Sequence, residues 1–516
     1  MNSGFLIYFL ALVGAALCLP PVYFDPATHQ FLFLLGFLSL WRYGWSLTHV
    51  SRSLIYRKRV FPRLRAREQS LGQQADPEHV FLLLTTFRIG TEVTVEVYRA
   101  AIQEAIRNGL PTTIVASIVE LSEERLITTL FRNQQPPDRV RLKIVRIAGT
   151  GKRDALAAGF RAIANTPVDK TRSVVAVIDG DSILSAGCLE ACYRLFALEP
   201  KLGALTTDEE GRLEGRDRVT GIYRRWYSLR FAQRHIYMSS LGLSRRVLTL
   251  TGRMSMFRAS IVTAPDFIRT VQADYIDHWR LGRFQFLTGD DKSSWFHLLK
   301  DGWEMWYVPD VTVITIEEPP HPNFFVGATA LMRRWFGNML RSNTRALTVP
   351  RKTMGFFTWW CLIDQRISIW TSLFGTSAGI LGGLKYGPSV WLVSLWWIAF
   401  IRYLQTLMLR TSRPRLSITW PFFIYFNQIY GSLIKVYVLN HLYKQKWTRQ
   451  KTTLKAGKDV WEQRYREQIS NLTLTAAFLT FLLTVAVMIG LLTPDDFQRA
   501  ILLVQSHSPL ISWRQS

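Results

Sequence analysis

Long apolar stretches at both ends of the chain constrain its fold more than any other feature. Residues 3–24 and 31–50 each approach the roughly 20 apolar residues that a helix needs to cross the hydrocarbon core of a bilayer. Apolar runs return at 369–384, 389–409 and 471–493. The first run has neither the basic leading segment nor the small-residue cleavage site of a signal peptide. We therefore predict an N-terminal hairpin of two spans and about five or six membrane segments in all.

Clusters of Lys and Arg orient these segments. The formal net charge is +25, and seven basic side chains follow the second apolar run within residues 52–67. Cytoplasmic loops carry such clusters, so we predict that the middle of the chain is cytoplasmic, together with the basic blocks 410–415 and 441–458. Two blocks on the same side exclude a single crossing by the Trp- and Tyr-rich segment 418–440, which we predict to be an interfacial or broken helix. No nucleic-acid-binding motif accompanies the clusters, which favours a membrane-surface role for their charge.

Between the apolar ends, short hydrophobic stretches alternate with helix-like segments. The strand-like stretches occupy residues 80–87, 112–120, 141–148 and 173–181. This alternation predicts a parallel α/β sheet. The fourth stretch is continuously apolar until it ends in Asp-Gly-Asp at 179–181. Ligands of such sheets bind at the carboxyl ends of the strands, which is where this stretch places its carboxylates.

The carboxylates of Asp179 and Asp181 have the chemistry of a metal and phosphate site. Carboxylate oxygens are suitable ligands for Mg²⁺ or Mn²⁺, and these ions bridge to the diphosphate of nucleotide donors. The glycine between the two aspartates allows a ligand to approach closely. Capping of a turn is the alternative role, but the position at the end of a buried strand favours the ligand site. We therefore predict Asp179 and Asp181 as metal ligands.

Two adjacent carboxylates, Asp290 and Asp291, precede a helical segment within Thr-Gly-Asp-Asp. Adjacent carboxylates repel one another when both are ionised, so one of them is expected to have a raised pKa and to accept a proton from an acceptor hydroxyl. A helix N-cap is the alternative role for an aspartate at this place. The two roles are compatible, because a cap position also fixes the direction of the carboxylate.

Arg333, Arg334 and Trp335 lie just before the chain returns to long apolar runs. An arginine beside a departing diphosphate neutralises developing charge, and an indole ring can stack on the face of a sugar. A belt of Arg and Trp at a membrane surface is the alternative. The segment alone does not decide between these roles.

The order of these motifs, together with Gly-Lys-Arg-Asp-Ala-Leu at 151–156, resembles that of the inverting glycosyltransferases of family 2. That group has a GT-A fold and includes the cellulose, chitin and hyaluronan synthases, and the resemblance covers residues 76–354. It implies that Asp179 and Asp181 hold the metal and the donor, and that Asp291 is the general base beside Asp290. It also implies donor-binding residues, which are Thr85, Thr86, Glu92, Glu120, Lys152, Asp179 and Arg334.

The acceptor side of the resemblance contains one departure from the family. Arg334 and Trp335 match the end of the family signature Gln-x-x-Arg-Trp, but Leu331 stands where the Gln is expected. This departure makes a cellulose synthase a weaker match than other members of the family. We expect acceptor contacts from Trp335, Lys292 and Arg333.

Several longer segments resemble more closely the catalytic subunits of bacterial alginate synthases. These segments are 41–45, 225–240, 250–260, 288–296 and 333–343. The resemblance implies GDP-mannuronate as the donor and β-1,4-linked polymannuronate as the product. The carboxylates of a uronate polymer need cationic contacts, for which Arg253, Lys292 and Arg333 are candidates. No cyclic-dinucleotide-binding segment follows the membrane region, so the resemblance also implies a separate co-polymerase subunit that senses cyclic-di-GMP.

The sequence therefore predicts a Rossmann-like GT-A domain flanked by transmembrane α-helices, on the cytoplasmic side of a bacterial inner membrane. The predicted units are a hairpin at 1–50, a basic linker at 51–75, the catalytic domain at 76–354 and C-terminal helices at 355–516. One alternative is a non-processive enzyme that loads a single sugar onto a polyprenyl phosphate, although such enzymes typically lack the Arg-Trp motif. Another is a non-enzymatic scaffold in a secretion complex, which the candidate base and metal ligands disfavour.

Overall fold

The centre of the middle region is a β-sheet. The computed structural model describes residues 3–19, 30–87, 89–445 and 460–507. Its strands are β1 His79–Thr85, β2 Thr112–Ile118, β3 Val140–Arg146, β4 Ser173–Asp179, β5 Ser182–Ile183, β6 Leu202–Arg212, β7 Met254–Arg258, β8 Tyr275–His278, β9 Gly282–Gln285 and β10 Glu304–Ile316. Eight of them form one sheet in the order β3-β2-β1-β4-β7-β6-β10-β5, and β8 pairs with β9 in a separate hairpin.

One half of this sheet matches the predicted parallel arrangement. β1 pairs in parallel with β2 and β4, and β2 pairs in parallel with β3. β1 and β2 are buried along their whole length, as expected of strands that are covered on both faces. In the other half, β7 runs antiparallel to β4 and β6, and β5 runs antiparallel to β10. The four predicted strands thus pair in parallel as expected, and the antiparallel strands that follow them make the whole sheet mixed, because the apolar content of a short strand does not reveal its direction.

Helices cover the sheet and join it to the apolar ends of the chain. The α-helices of the described residues are α1 Ser3–Cys18, α2 Gln30–Ile55, α3 Phe61–Leu71, α4 Thr91–Arg107, α5 Leu121–Asn133, α6 Lys152–Ala164, α7 Cys188–Tyr193, α8 Arg218–Gly242, α9 Ala259–Val262, α10 Pro265–Gln272, α11 Asp290–Lys300, α12 Phe324–Ala346, α13 Arg351–Met354, α14 Phe356–Tyr386, α15 Pro388–Met408, α16 Trp420–Asn440, α17 Val460–Met488 and α18 Pro494–His507. α6 packs on β1 and β2, whereas α8 packs on β6 and β10. α8 also packs against α2 and α16, so this one helix connects the sheet to both apolar ends.

Several helices have the length and composition of membrane spans. Within the described residues, four are long and apolar enough to cross a membrane, and they are Phe356–Tyr386, Pro388–Thr411, Trp420–Asn440 and Trp461–Met488. The chain is accordingly a membrane protein. The predicted N-terminal hairpin falls on the shorter apolar helix α1 and on α2, and residues 20–24 of its first span lie outside the described residues. The domain boundaries near 50, 75 and 354 stay predictions.

The Trp- and Tyr-rich segment before the second basic block differs from its prediction. α16 is one unbroken helix, which contradicts the broken alternative of the prediction, whereas the interfacial alternative stays a prediction. Pro421 lies in its first turn, where a backbone N–H has no helical partner and proline is tolerated. Asn427 accepts a hydrogen bond of 2.7 Å from the indole of Trp226, which ties α16 to α8. The basic block at 441–458 lies outside the described residues from position 446 onward.

An ion pair joins the two apolar ends of the chain. Arg42 of α2 contacts one carboxylate oxygen of Asp364 in α14, and the indole of Trp45 donates to the other oxygen at 3.0 Å. Charged side chains within membrane segments are rare unless they are paired or functional. The Trp-Arg-Tyr-Gly-Trp segment at 41–45 therefore docks α2 onto the C-terminal helices.

Candidate active site

A cavity of about 1150 Å³ opens at the carboxyl ends of β1 and β4, and we call it the donor cavity. The strand register pairs Thr85, the last residue of β1, with Asp179, the last residue of β4. Two parallel neighbours therefore deliver a hydroxyl and a carboxylate to the edge of the sheet where α/β proteins bind ligands. Residues of the Gly-Lys-Arg-Asp, Thr-Gly-Asp-Asp and Arg-Arg-Trp motifs also line this cavity. The structure thus brings the separate sequence motifs together.

Lys152 links two of these motifs. Its ammonium nitrogen lies 2.5 Å from Asp179 Oδ1 and 3.1 Å from Asp290 Oδ2. Burial alone would lower the pKa of Lys152, but the two carboxylates outweigh it and raise that pKa above its ordinary value. Burial likewise opposes ionisation of Asp290, yet Lys152 and Arg153 hold the pKa of Asp290 below its ordinary value. Lys152 and Asp290 are therefore both charged at neutral pH.

The Thr-Gly-Asp-Asp segment is fixed by a buried arginine that the sequence analysis did not single out. Arg153 donates to the carbonyl oxygen of Thr288 and to the hydroxyl of Ser293, both at 3.1 Å. These bonds tie α6 to the loop before α11 and to its first turn. Arg153 directly follows Lys152, so the signal was present in the sequence, but the motif was interpreted through its lysine alone.

Asp291 faces two spaces at once. Its half-buried side chain lines the donor cavity and a second cavity that leads toward the membrane helices. Burial and the negative charge of Asp290 raise the pKa of Asp291, which confirms that one carboxyl group of the pair has a raised pKa. Gly289 precedes the pair with a φ of +85°, and a Cβ there would lie 3.0 Å from the side chain of Asn338. This tight turn at the start of α11 immediately precedes Asp290 and Asp291.

We expect Asp290→Asn to move the acid limb of the pH–rate profile to lower pH. Because the carboxylate of Asp290 raises the pKa of Asp291, its removal lowers that pKa. A base acts only when it is ionised, so wild-type activity falls as the pH decreases through the raised pKa, and the variant keeps its remaining activity to more acidic pH. The measurement is kcat against pH for both proteins. An acid limb at the same pH in both would contradict the coupling of the two carboxyl groups.

Gly180 allows its two neighbouring aspartates to lie on the cavity wall. The backbone N–H of Gly180 donates to the carbonyl oxygen of Thr85 at 3.1 Å. A Cβ at position 180 would lie 2.7 Å from that oxygen and 2.6 Å from Ile89 Cδ1, both closer than van der Waals contact. Only glycine fits between the two chain segments without displacing the backbone of β1.

We expect Gly180→Ala to destabilise the fold by about 1–3 kcal/mol, the usual cost of forcing added atoms into a packed site. The carbonyl of Thr85 belongs to a buried central strand and cannot move away without distorting the sheet. Gly90→Ala is the matched control, because Gly90 has a φ of −58° and open space around its Cβ position. Thermal unfolding of the purified proteins in detergent measures the difference. Equal Tm values for Gly180→Ala and wild type would show that the contact is unimportant.

The Arg-Arg-Trp segment lies on α12, and its three side chains line the donor cavity. The ring of Trp335 also lines the second cavity, and the guanidinium carbon of Arg230 lies 3.2 Å from its centroid. Arg333 is exposed, with its guanidinium 4.6 Å from the ring of Tyr437. Leu331, which replaces the Gln of the family signature, is 4 % exposed and belongs to the apolar cluster around α8 and α16. The departure from the signature therefore places a packing residue where a polar contact was expected.

The residues predicted to bind the donor base fall into two groups. Thr85 and Thr86 line the donor cavity. Glu92 and Glu120 are exposed and lie outside its wall. The backbone N–H of Glu120 donates to Glu123 Oε2 at 3.2 Å, a bond that starts helix α5. The structure thus brings only the two threonines to the cavity.

The cations predicted to contact uronate carboxylates also differ in their surroundings. Arg253 lines both cavities but is already paired with Glu209 at 2.9 Å and with Glu317 at 2.7 Å. Lys292 donates to the carbonyl oxygen of Leu248 at 2.5 Å and lines the second cavity. Burial lowers the pKa of Lys292 to about 8. Arg253 therefore holds the walls of the site together, and Lys292 faces the second cavity.

The carboxylates of Asp179 and Asp181 suit a divalent cation that arrives with its substrate. Among the described residues, no group of three or more His, Cys, Asp or Glu side chains could enclose a metal ion. Mg²⁺ and Mn²⁺ do not require such a group, because they take one or two protein carboxylates and complete their shell with water and substrate phosphates. The side chain of Asp179 is 27 % exposed and therefore open to the cavity. The donor set fits an ion shared with a diphosphate.

The second cavity, of about 1000 Å³, shares part of its wall with the donor cavity, and we call it the membrane cavity. Both cavities are lined by Thr251, Arg253, Asp291, Trp335 and Asn338. Beyond these shared residues, most of its wall comes from α2, α8, α14, α15 and α16. Three of those helices are long and apolar enough to cross a membrane. Asp291 and Trp335 therefore lie between the donor cavity and a cavity among the apolar helices.

Known proteins are similar to nearly the whole chain. Residues 77–338 match the profile of a family described as Glycosyltransferase like family 2. The protein named Glycosyltransferase alg8 from Pseudomonas syringae pv. tomato is 46 % identical over 485 residues, which are 93 % of this chain and 97 % of the relative. A protein of the same name from Azotobacter vinelandii is 45 % identical over 484 residues, with the same two coverages of 93 % and 97 %.

One solved structure that resembles the chain is the mannosyltransferase PcManGT from Pyrobaculum calidifontis in complex with GDP-Man and Mn²⁺. The likeness covers 75 % of this chain and 98 % of that protein, at 12 % identity and a TM-score of 0.40. A likeness as weak as this carries no inference about substrate or metal.

Proposed function

Because the chain belongs to glycosyltransferase family 2 and is a membrane glycosyltransferase with a GT-A fold, we propose that it elongates polymannuronate processively from GDP-mannuronate. The observation that carries this proposal is that Asp291 and Trp335 line both the donor cavity and the membrane cavity. A growing chain can stay in the membrane cavity between additions, which is the requirement for processive synthesis. The likeness to the catalytic subunits of alginate synthases supports mannuronate as the sugar.

The proposed reaction is a single inverting displacement. Asp291 takes the proton from the acceptor hydroxyl while the hydroxyl oxygen attacks the anomeric carbon of the donor. The bond between that carbon and the diphosphate oxygen breaks, and the nucleotide diphosphate leaves with the electron pair. Trp335 supports the acceptor sugar at the junction of the cavities, where its ring faces both spaces. The raised pKa of Asp291 matches this role, because it increases the proton affinity of the base.

Cationic groups surround the position of the departing diphosphate. Lys152 and Arg334 line the donor cavity and neutralise charge as it develops on the leaving group. Asp179 and Asp181 would hold Mg²⁺ or Mn²⁺, whose charge stabilises the diphosphate when the donor is bound. Thr85 and Thr86 line the same wall and bind the nucleotide portion.

The proposed setting is the inner membrane of a bacterium, with the GT-A domain on the cytoplasmic side. The basic cluster within residues 52–67 supports this orientation through the positive-inside rule. The polymer would then leave through the membrane cavity. A separate co-polymerase subunit that senses cyclic-di-GMP would act with this chain. Synthesis and export would share one chain, which accounts for the union of the catalytic domain with the membrane helices.

A donor screen with product sizing tests this proposal. Membranes containing the protein are incubated with GDP-mannuronate, UDP-glucose, UDP-glucuronate or UDP-N-acetylglucosamine, and membranes without it serve as the control. We expect a high-molecular-weight polymer from GDP-mannuronate alone. Polymer formed from a different donor would overturn the sugar assignment. A product that consists only of lipid-linked monosaccharide would overturn polymerisation and favour the non-processive alternative.

A further inference from the structure

The wall of the membrane cavity carries an excess of positive charge. Among the described residues, six cations and one carboxylate, Asp291, line it. The cations are Arg42, Arg230, Arg234, Arg253, Lys292 and Arg402. A cavity lined by charge of one sign attracts ligands of the opposite sign. A neutral glycan would not need this arrangement.

Most of these cations already have partners within the protein. Arg42 pairs with Asp364, and Arg253 pairs with Glu317 as well as with Glu209. Arg234 lies 3.2 Å from the second carboxylate oxygen of Glu209. Lys292 donates to a backbone carbonyl. These contacts assign the four side chains to the walls of the cavity and leave Arg230 and Arg402 to be explained.

Arg230 is held by aromatic rings alone. Its guanidinium carbon lies 3.2 Å from the ring centroid of Trp335 and 5.5 Å from that of Trp226. No ion pair or hydrogen bond joins this guanidinium to any of the residues that the structure describes. Burial lowers the pKa of Arg230, and the charges of Glu317 and Glu209 offset this lowering only in part. A guanidinium that contacts a ring through its face makes no hydrogen bond with that ring, so its N–H groups can donate to a carboxylate.

Arg402 lies deeper, on the membrane helix α15. It is 7 % exposed, and its guanidinium contacts the side-chain oxygen of Gln405. Its Nε atom is buried and has no hydrogen-bond partner within the described part of the chain. Ionisable side chains within membrane segments are costly and usually serve a ligand pathway. The polar wall of this cavity therefore extends from Trp335 into the membrane helices.

We propose that Arg230 and Arg402 bind the carboxylates of an anionic polysaccharide as it leaves the active site, with Arg230 nearest the acceptor sugar. The inference rests on the proposed function, because it assigns the uronate groups of that polymer to two named cations. Arginine and carboxylate form charge-assisted, frequently bidentate hydrogen bonds, which a hydroxyl group of a neutral sugar cannot replace. Arg230 also orients Trp335, so one residue joins the sugar-stacking ring to the carboxylate contact.

Binding of matched oligosaccharides tests the inference directly. Purified wild-type protein is titrated with β-1,4-mannuronate oligomers and with neutral β-1,4-mannose oligomers of equal length. We expect wild type to bind the uronate oligomers more tightly and Arg230→Gln to weaken uronate binding by about 10- to 100-fold, as the loss of a hydrogen bond between charged groups predicts. Binding of the neutral oligomers should change little. Arg402 lies deeper in the membrane cavity, so Arg402→Gln should weaken the binding of uronate oligomers that are long enough to reach it and leave the binding of neutral oligomers unchanged.

Control variants separate the loss of charge from a structural defect. Arg225→Gln removes an exposed arginine from the same helix and should bind both oligomers as wild type does. Arg230→Lys keeps the charge without the planar fork and should retain part of the preference for uronate. Equal weakening of both oligomers in Arg230→Gln, or no weakening at all, would overturn the inference. If wild type makes no polymer from GDP-mannuronate, the proposed function fails. The oligomer titrations are a separate measurement, so failure of the inference can be distinguished from failure of the proposed function.

Discussion

Replacing Asp291 by Asn is expected to reduce kcat by about 10²- to 10⁴-fold, the usual contribution of a general base. The amide has nearly the same shape as the carboxylate but cannot take the proton from the hydroxyl group of the acceptor sugar. Asp291 lies where the donor cavity meets the membrane cavity, and burial together with Asp290 raises its pKa. The measurement is the initial rate of sugar incorporation at saturating donor.

A variant on the same helix controls for effects on α11. Asp301→Asn changes a carboxylate just after the carboxyl end of α11, far along the helix from the cavity, and should keep the wild-type rate. Donor binding by Asp291→Asn should also remain close to that of wild type, because the base acts on the acceptor. A rate for Asp291→Asn within a few-fold of the rate of wild type would remove Asp291 from the mechanism even though the fold is unchanged.

The second large effect is expected at Asp179. Asp179→Asn should lower kcat/KM for the donor by roughly 10²- to 10³-fold, because it removes electrostatic support at the developing charge of the diphosphate. The variant loses a carboxylate that faces the cavity and breaks the contact with Lys152. It should also require more Mg²⁺ or Mn²⁺ for half-maximal activity, since one of the two predicted metal ligands is weakened.

Metal titrations of activity and direct donor-binding measurements check this expectation. Asp169→Asn is the matched control, because Asp169 is an exposed carboxylate in the loop before β4 and lies outside the donor cavity. Unchanged metal dependence in Asp179→Asn would show that Asp179 does not hold the ion. Asp179 would then act only through its ion pair with Lys152.

The first strands and the catalytic motifs could be predicted because each leaves a local signal. β1, β2 and β4 are short apolar runs, and the Asp-Gly-Asp motif ends the last of them. The Asp-Gly-Asp motif alone is a weak signal, but its position at the end of a buried strand predicts a ligand site, since parallel strands end at the same edge of a sheet. The structure places Asp179 beside Thr85 in register, as that reasoning requires.

Other features depend on contacts between distant segments and leave no local signal. The antiparallel direction of β7 is seen only in its pairing with β4 and β6, which lie far from it in the sequence. Arg253 has the charge expected for a uronate contact, but Glu209 and Glu317 occupy its guanidinium. Arg230 lies within the segment 225–240 that contributed to the resemblance, and its contact with the ring of Trp335 appears only when α8 meets α12.

The membrane segment α16 shows how a local signal can mislead. Pro421 and Asn427 are both unfavourable inside a helix, and together with the flanking basic blocks they favoured an interfacial or broken helix. Pro421 instead occupies the first turn, and Asn427 is used by the indole of Trp226. A polar residue in an apolar helix therefore indicated a partner on another helix.

Synthesis by sealed, inverted membrane vesicles that contain the purified protein tests the central claim most directly. GDP-mannuronate is supplied outside, on the face that carries the GT-A domain, and the product is then exposed to a polymer-degrading lyase added outside. We expect a high-molecular-weight polymer that resists the lyase until the vesicles are opened with detergent, because the chain passes from Asp291 through the membrane cavity into the lumen. Product that is short, lipid-linked or fully degraded before detergent is added would contradict the account.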